Sequence, residues 1–501
     1  MIEDFERCYL AVQSRDPRFD GWFYTAVTST HIYCRPSCPA QTPMRQNVRF
    51  YPSAAAAQLA GFRACKRCRP DASPGSPEWN SRADVAARAM RLIADGLVDR
   101  EGVNGLAQRL GYSVRQLERV LQNEIGAGPI SIARSQRAQT ARILIETTTL
   151  AMTDVAFAAG FSSVRQFNDT VHAVYASSPT MLRARAKSPR TIAEASTAIE
   201  LRLAFRQPLC PDNLFGHLAA TAVPGVEEVR GQTYRRTLRL AHGPGIVELT
   251  PTPEYVSCRA VLSDMRDLTA TIARSRWLLD LDADPVAFDR QLSVDPSLAP
   301  VVTKAPGRRV PRCVDGAEMA LRAVLGQQVS TAAAQTHAGR LVQRHGEPIS
   351  DPGGGLTHLF PLPSALTHAD LAMPTNRRAT FSALVMALQR GELDLGPGSD
   401  RDETMAALAT IPGVGPWTRQ VIAMRALGDP DAFPESDLGV RHAAEQLGIP
   451  STPAALVDRS QIWRPWRAYA VQYLWSVDEH RINDWPPKPL RPSRRTKETD
   501  D

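Results

Sequence analysis

At 501 residues the chain is longer than one hydrophobic core usually holds, so two to four domains are expected. A hydrophobic share of 43% excludes a wholly disordered polymer, and eight cysteines are too few for a secreted disulfide framework. No apolar run reaches the ~18 residues of a membrane span, and 59 basic against 52 acidic residues leave a formal +7, a modest excess that favours a polyanionic partner.

The chain opens MIEDFERCYLAV, without the basic-then-apolar layout of a secretion signal, so a reduced, cytoplasmic setting is expected. Four cysteines follow in two close pairs, Cys34 with Cys38 and Cys65 with Cys68. Each short spacing lets one turn present two sulfurs, and two such turns supply a tetrahedral four-thiolate zinc site. Arg35, Arg45, Arg63, Lys66, Arg67 and Arg69 surround it and would draw in a phosphate backbone. Spacing alone also fits a zinc ribbon that does no chemistry. Cys8, Cys210, Cys258 and Cys313 stand alone and read as buried small hydrophobes.

A Pro- and Ser-rich stretch, residues 71–81, reads as a linker. From about 82 the texture is helical, and it contains a repeat. Gly111-Tyr112-Ser113-Val114-Arg115-Gln116-Leu117 returns as Gly160-Phe161-Ser162-Ser163-Val164-Arg165-Gln166-Phe167, each copy followed by a proline, Pro129 and Pro179. A glycine at the turn lets two helices cross closely, as a helix-turn-helix requires. The recognition helices are then expected at Ser113–Asn123 and Ser162–Tyr175, joined through a long helix over 132–147. Arg115, Gln116, Arg119 and Gln122 on the first, with Arg165, Gln166 and Asn168 on the second, are candidates to reach base edges. A helical bundle with solvated arginines is the plainer alternative.

Residues 183–200 read as a second linker. From 201, ELRLAF, TYRRTLRL and GIVELTPTPEYVSCRAVL alternate as strands of a small antiparallel sheet. From about 314 to about 480 the chain is expected to be helical, and the stretch after 482 reads as a disordered tail. Within the helical part, Ile411-Pro412-Gly413-Val414-Gly415-Pro416-Trp417-Thr418 sits between two helices. Gly413 and Gly415 permit a tight hairpin whose backbone N–H groups clamp phosphate without side-chain charge. Asp437 follows Trp417 by twenty positions. A carboxylate there could stabilise an oxocarbenium-like sugar and orient water, or it could simply cap the next helix.

These strings resemble known families. Residues 20–70, with FY-AVT, YCRPSC, NV-FY and AGFRACKRC, resemble the N-terminal domain of Ada-type methyl-phosphotriester sensors. The resemblance implies that Cys34 is both zinc ligand and methyl acceptor, with Cys38, Cys65 and Cys68 as the other ligands. Methylation would turn one thiolate into a thioether, lower the negative charge of the centre by one and raise DNA affinity. Residues 82–186 resemble the AraC/XylS-type DNA-binding domain, which implies a transcriptional activator and brings in RNA polymerase as a further partner. Residues 200–480 resemble AlkA-type 3-methyladenine glycosylase II of the helix-hairpin-helix superfamily, on the hairpin, Asp437, CVDGAEMALRAVLGQQVS and IWRPWRAYAVQYLW.

That last resemblance implies hydrolysis of the N-glycosidic bond of alkylated purines. Asp437 is then catalytic, and Trp417 and Trp475 hold the flipped, cationic base by cation–π stacking. Gln328 stands at the wedge position, and His217, Val421 and Leu438 stand where the pocket is usually aromatic. Strand-cutting relatives carry a lysine near the hairpin where this chain has Trp417, so simple hydrolysis is expected. No PCHR-type cysteine motif is present for removing alkyl groups from base oxygens.

The expected architecture is multidomain α+β. A zinc-binding sensor spans 1–75, an all-α double helix-turn-helix domain 82–186, the sheet part of a glycosylase 200–305, its helix-hairpin-helix part 306–482, and a tail 483–501. Double-stranded DNA is the expected partner, one Zn²⁺ the expected cofactor, and a nucleoid-associated bacterial protein of the adaptive response to alkylation the expected role. A rival reading keeps the regulator and makes the glycosylase fold a catalytically inert DNA clamp.

Overall fold

The computed structural model describes residues 4–70, 85–186, 198–478 and 480–487. The linker expected over 71–81 and most of the one expected over 183–200 lie outside the described residues, as does the chain from 488 onward. No helix among the described residues is long and apolar enough to cross a membrane.

The first unit is a four-stranded sheet in the order β3–β1–β2–β4, with helix α1 (Phe5–Gln13) beside it. Its strands are β1 (Tyr24–Val27), β2 (Ile32–Cys34), β3 (Val48–Tyr51) and β4 (Arg63–Ala64), with α2 (Ala54–Leu59) between the last two. β1 pairs antiparallel with β2 and β3, while β2 and β4 run parallel, Tyr33 opposite Ala64. That parallel pair matters for the chemistry, because it sets Cys34 at the end of one strand beside Cys65 just past the other. The N–H of Cys65 donates to the Tyr33 carbonyl at 3.0 Å.

The second unit is all helical: α3 (Val85–Ala94), α4 (Leu97–Leu110), α5 (Val114–Ile125), α6 (Pro129–Thr147), α7 (Met152–Ala158), α8 (Val164–Tyr175) and α9 (Pro179–Arg185). Gly111 ends α4 at φ 77° and Gly160 follows α7 at φ 85°, backbone values that disfavour any residue with a Cβ. The apolar face of the first copy buries Leu106, Leu110, Leu117, Leu121 and Ile125. The second buries Val155, Phe161, Phe167 and Val171. The expected helix bounds shift slightly. α5 runs on to Ile125, α8 starts at Val164 behind an Ser163 cap rather than at Ser162, and α6 begins at Pro129, where proline suits the first helical position.

The third unit opens on a five-stranded antiparallel sheet in the order β5–β9–β8–β7–β6. Its parts are β5 (Ala198–Ala204), α10 (Pro211–Ala220), β6 (Glu227–Arg230), β7 (Thr233–Leu240), β8 (Gly243–Pro251) and β9 (Tyr255–Leu262). The helical stretch starts earlier than expected, with α11 (Leu268–Leu278), α12 (Pro285–Leu292) and α13 (Ala299–Lys304), so 200–305 is not sheet alone. Then come α14 (Gly316–Leu325) and α15 (Thr331–His345). A two-stranded ribbon, β10 (Glu347–Pro348) with β11 (His358–Leu359), interrupts the helices. After it come α16 (Thr375–Gln389), α17 (Arg401–Thr410), α18 (Pro416–Arg425), α19 (Leu438–Gln446), α20 (Pro453–Arg459) and α21 (Arg467–Leu474). Packed structure also continues past residue 482. Trp485, expected in the tail, packs its ring on Phe215 at 5.1 Å between centroids.

The three units touch one another through polar contacts. Ser53 Oγ donates to the Ile125 carbonyl at 2.9 Å, joining the first unit to the end of α5. Arg88 of α3 reaches Asp400 at 3.0 Å, and Arg274 of α11 reaches Asp95 at 2.8 Å, joining the second unit to the third. Arg206 donates to the carbonyl of Asp20, joining the third to the first.

Candidate functional sites

The metal centre is built from two turns that the parallel β2/β4 pair brings together. Cys38 is turned back by its N–H bond to the Arg35 carbonyl (3.1 Å), and the 65–69 turn closes through Arg69 N–H on the Cys65 carbonyl (3.1 Å). The four sulfurs of Cys34, Cys38, Cys65 and Cys68 all lie within 4.8 Å of one another. Tetrahedral Zn–S bonds of about 2.3 Å require sulfurs about 3.8 Å apart, so the cluster fits zinc. Four thiols this close cannot all ionise unless a cation offsets their charge. Cys65 and Cys68 are buried, whereas Cys34 and Cys38 are partly exposed.

Asp20 fixes the loop that carries Cys34. Only 4% exposed, it accepts from the Ser37 N–H (3.0 Å) and Ser37 Oγ (2.6 Å), and Arg35 pairs with it at 3.3 Å. Arg35 and Arg45, both expected to face phosphate, are engaged within the unit, Arg45 with Glu6. Lys66 and Arg67 are exposed. The lone cysteines Cys8, Cys210, Cys258 and Cys313 are buried, as expected for small hydrophobes. Burial pushes the thiols of Cys8, Cys258 and Cys313 up to about 11, 12 and 12.

On the helix-turn-helix pair, Arg115, Gln116 and Arg119 of α5 and Arg165 and Gln166 of α8 are all exposed. The two glutamines already do something else. Gln116 Oε1 accepts from the N–H (3.1 Å) and hydroxyl (2.7 Å) of Ser113, completing a capping box. Gln166 Oε1 accepts from the Ser162 hydroxyl at 3.0 Å. Ser113 and Ser163 therefore cap α5 and α8, and the glutamine side chains bond Ser113 and Ser162.

The third site centres on Asp437, at the N-cap of α19. Its Oδ1 accepts from the Val440 N–H at 3.0 Å and from Trp475 Nε1 at 2.9 Å, and its Oδ2 accepts from Trp417 Nε1 at 2.8 Å. The capping role is therefore real, and the same carboxylate also accepts from the two indoles. Two indoles 58 positions apart in the chain are held on one carboxylate, which fixes its orientation and leaves it partly exposed.

Behind Trp417 the hairpin is tight. Gly413 has φ 82°, and a Cβ there would lie 1.9 Å from Thr380 Oγ1, so only glycine fits. Gly415 is the N-cap of α18, whose first N–H groups lack intrahelical acceptors as at any helix start. Gln328 is exposed and sits at φ 55°, on the turn between α14 and α15. Its neighbour Gln327 was not singled out by the sequence. Its Nε2 donates to the Gly413 carbonyl (3.1 Å) and to Thr418 Oγ1 (2.9 Å), tying that turn to the hairpin. Only its place in GQQVS hinted at it.

The remaining pocket candidates diverge. His217 of α10 is buried and its ring lies nearly parallel to Trp475, centroids 6.4 Å apart. Val421 is buried on α18, one turn past Trp417. Leu438 is 77% exposed, so it is a rim residue and not part of an enclosed wall. Between Lys304 and Lys488 the chain has no lysine at all.

Three family models match successive parts of the chain: the metal binding domain of Ada over residues 7–71, a helix-turn-helix domain over 106–185, and the AlkA N-terminal domain over 200–315. A Mycobacterium tuberculosis protein named probable bifunctional transcriptional activator/DNA repair enzyme AlkA is 61% identical over 492 residues, spanning 97% of this chain and 99% of that protein. DNA-3-methyladenine glycosylase 2 of Escherichia coli is 32% identical over 273 residues, 53% of this chain and 93% of that protein. The bifunctional transcriptional activator/DNA repair enzyme Ada of Escherichia coli is 33% identical over 164 residues, 32% of this chain and 45% of that protein.

Proposed function

The chain belongs to the AlkA-type bifunctional transcriptional activator/DNA repair enzymes, and from that premise we propose that it joins a methyl-phosphotriester sensor and transcriptional regulator to a DNA glycosylase that hydrolyses alkylated purines from double-stranded DNA. The observation that carries the glycosylase reading is the carboxylate of Asp437 held between the indole N–H groups of Trp417 and Trp475. A carboxylate in that setting opposes the positive charge that develops on the sugar as the C1′–N bond lengthens. Water then adds to C1′, its proton leaves to Asp437 or solvent, and the bonding electrons depart with the base. Trp417 and Trp475 offer π faces to a cationic alkylated base. Gln328 enters the space that the extruded base vacates. The hairpin from Gly413 to Gly415 binds phosphate through backbone N–H groups.

In the sensor, Cys34, Cys38, Cys65 and Cys68 would hold one zinc ion, which keeps the Cys34 sulfur a thiolate at neutral pH. That sulfur attacks the methyl carbon of a phosphate methyl ester. The S–CH₃ bond forms, the O–CH₃ bond breaks, and the phosphate regains its negative charge. Cys34 is left as a neutral thioether, so the reaction occurs once per chain. Repulsion between the sensor and DNA falls, which favours promoter binding through Arg115, Gln116, Arg119, Arg165 and Gln166, with Arg35, Arg45, Lys66 and Arg67 along the backbone. For Arg35, Arg45, Gln116 and Gln166 this requires exchanging the intramolecular contacts they now make. RNA polymerase is the partner that an activator of this kind would recruit.

The test uses purified full-length protein on a methylated duplex. Release of free 3-methyladenine supports the enzyme. Protein that binds the duplex and releases no base supports the inert-clamp rival instead.

A further inference from the structure

The turn that carries Cys34 is held in part from outside the sensor, and Asp20 is the link. The Asp20 carboxylate accepts from the N–H (3.0 Å) and hydroxyl (2.6 Å) of Ser37, which lies between Cys34 and Cys38, and it pairs with Arg35 at 3.3 Å. The backbone carbonyl of the same residue accepts from Arg206, just past β5 in the third unit. Asp20 thus grips the cysteine turn with its side chain and the third unit with its main chain.

Arg206 is fixed from its own side as well. Its other terminal nitrogen donates to the Asp282 carbonyl at 2.8 Å, and the fully buried Arg309 donates to the Arg206 carbonyl. Arg276 donates to the Ala204 carbonyl at 2.9 Å and holds the strand end from which Arg206 follows. Asp20 and Arg206 are only 4% and 5% exposed, so water competes little for the bond between them. The two cysteine turns differ in this respect. Cys65 and Cys68 are buried, and their turn closes on itself through Arg69 N–H and the Cys65 carbonyl. Cys34 and Cys38 are partly exposed, and it is their turn that Asp20 and Arg206 hold.

We propose that Arg206 is a positioning residue of the metal centre: through Asp20 it holds the Cys34–Cys38 turn in place, so that zinc binding in the sensor and docking of the glycosylase unit are coupled. The inference rests on the four-thiolate reading of the metal centre, and on neither methyl transfer nor base excision. Groups that orient metal ligands without touching the metal commonly change metal affinity by about 10–100-fold when removed. Arg206 acts through Asp20 and Ser37, so its effect belongs at or below the lower end of that range. Coupling of this kind is reciprocal. An arginine that steadies the zinc turn is itself steadied, with the segment that carries it, when zinc is bound.

The experiment uses zinc-loaded full-length protein and follows release of the metal to a chromogenic chelator. Wild type is compared with Ser37→Ala, Arg206→Met, Arg206→Lys and Arg88→Met. Ser37→Ala and Arg206→Met should each speed release by about tenfold or somewhat less. Arg206→Lys, which keeps a charged donor, should stay within about twofold of wild type. Arg88→Met breaks a different contact, between the second and third units, and should leave release unchanged. The reciprocal measurement is amide hydrogen exchange over residues 204–207. Stripping zinc should raise it in wild type and leave it unchanged in Arg206→Met. Zinc release from folded Arg206→Met at the wild-type rate, or an equal acceleration in Arg88→Met, overturns the inference. Wild-type exchange over 204–207 that does not respond to zinc overturns it too, whether or not Arg206→Met folds. Wild-type protein that holds no zinc overturns both the inference and the metal reading beneath it.

Discussion

Asp437→Asn isolates charge at the proposed catalytic position. Asparagine caps a helix as well as aspartate does, so α19 should still start in place. Its single carbonyl oxygen can keep the bonds that Oδ1 now accepts from Val440 N–H and Trp475 Nε1. The NH₂ group then falls where Oδ2 accepts from Trp417 Nε1, and donor meets donor. That one lost bond costs about 1 kcal/mol, equivalent to about 2–4 °C of melting temperature in a domain of this size. The larger loss is the negative charge that faces the oxocarbenium-like sugar, which is commonly worth about 10²–10³ in rate. Single-turnover base release from a methylated duplex should therefore fall by that order. Binding to the same duplex should persist, because the phosphate clamp proposed for the 413–415 hairpin uses backbone N–H groups. Trp417→Phe breaks the same Trp417 bond and keeps the carboxylate, so it serves as the control for the melting temperature alone. Equal rates for wild type and Asp437→Asn would refute the catalytic assignment.

Borohydride should trap no covalent DNA adduct, because no lysine lies between Lys304 and Lys488 to form a Schiff base with the sugar; a trapped complex would contradict hydrolysis as the mechanism. One zinc per chain should be found by elemental analysis, and Cys38→Ser, Cys65→Ser or Cys68→Ser should each abolish it and unfold residues 1–70, as should a strong chelator. A folded, zinc-free sensor would sink that expectation. Mass spectrometry after incubation with methyl-phosphotriester DNA should find one methyl, on Cys34, with no turnover and with promoter affinity raised; methylation elsewhere, or unchanged affinity, would count against the charge argument. In the native protein, Cys8, Cys258 and Cys313 should resist alkylating reagents at pH 8, because burial raises their pKa values to about 11, 12 and 12 and leaves less than about one thiol in a thousand ionised. Rapid labelling of any of the three would show the burial argument to be wrong.

Features that depend on a few neighbouring residues were legible in the sequence. Two sulfurs on one turn, a glycine at a helix crossing, and a Pro-Gly hairpin are each set by backbone geometry over three to eight positions. The cysteine pairs, the 111/160 repeat and the 411–418 hairpin could accordingly be located, and so could the alternating strands after 201. What the local pattern could not carry is which distant pieces meet. The parallel register of β2 and β4 joins the two cysteine pairs. Tertiary packing sets Trp417 and Trp475 on one carboxylate, and it places His217, some 220 positions before Asp437 in the chain, behind that pair. Exposure was equally out of reach. Leu438 and Val421 are both aliphatic and both sit on helices, yet one is at the rim and the other in the core. The bonds of Gln116 and Gln166 to serines three and four positions away are local and follow from spacing, but nothing in the sequence showed that Arg35 and Arg45 would find carboxylates. Local hydrogen bonds follow from spacing along the chain, whereas the partner of a long polar side chain depends on which surfaces the hydrophobic cores bring within its reach.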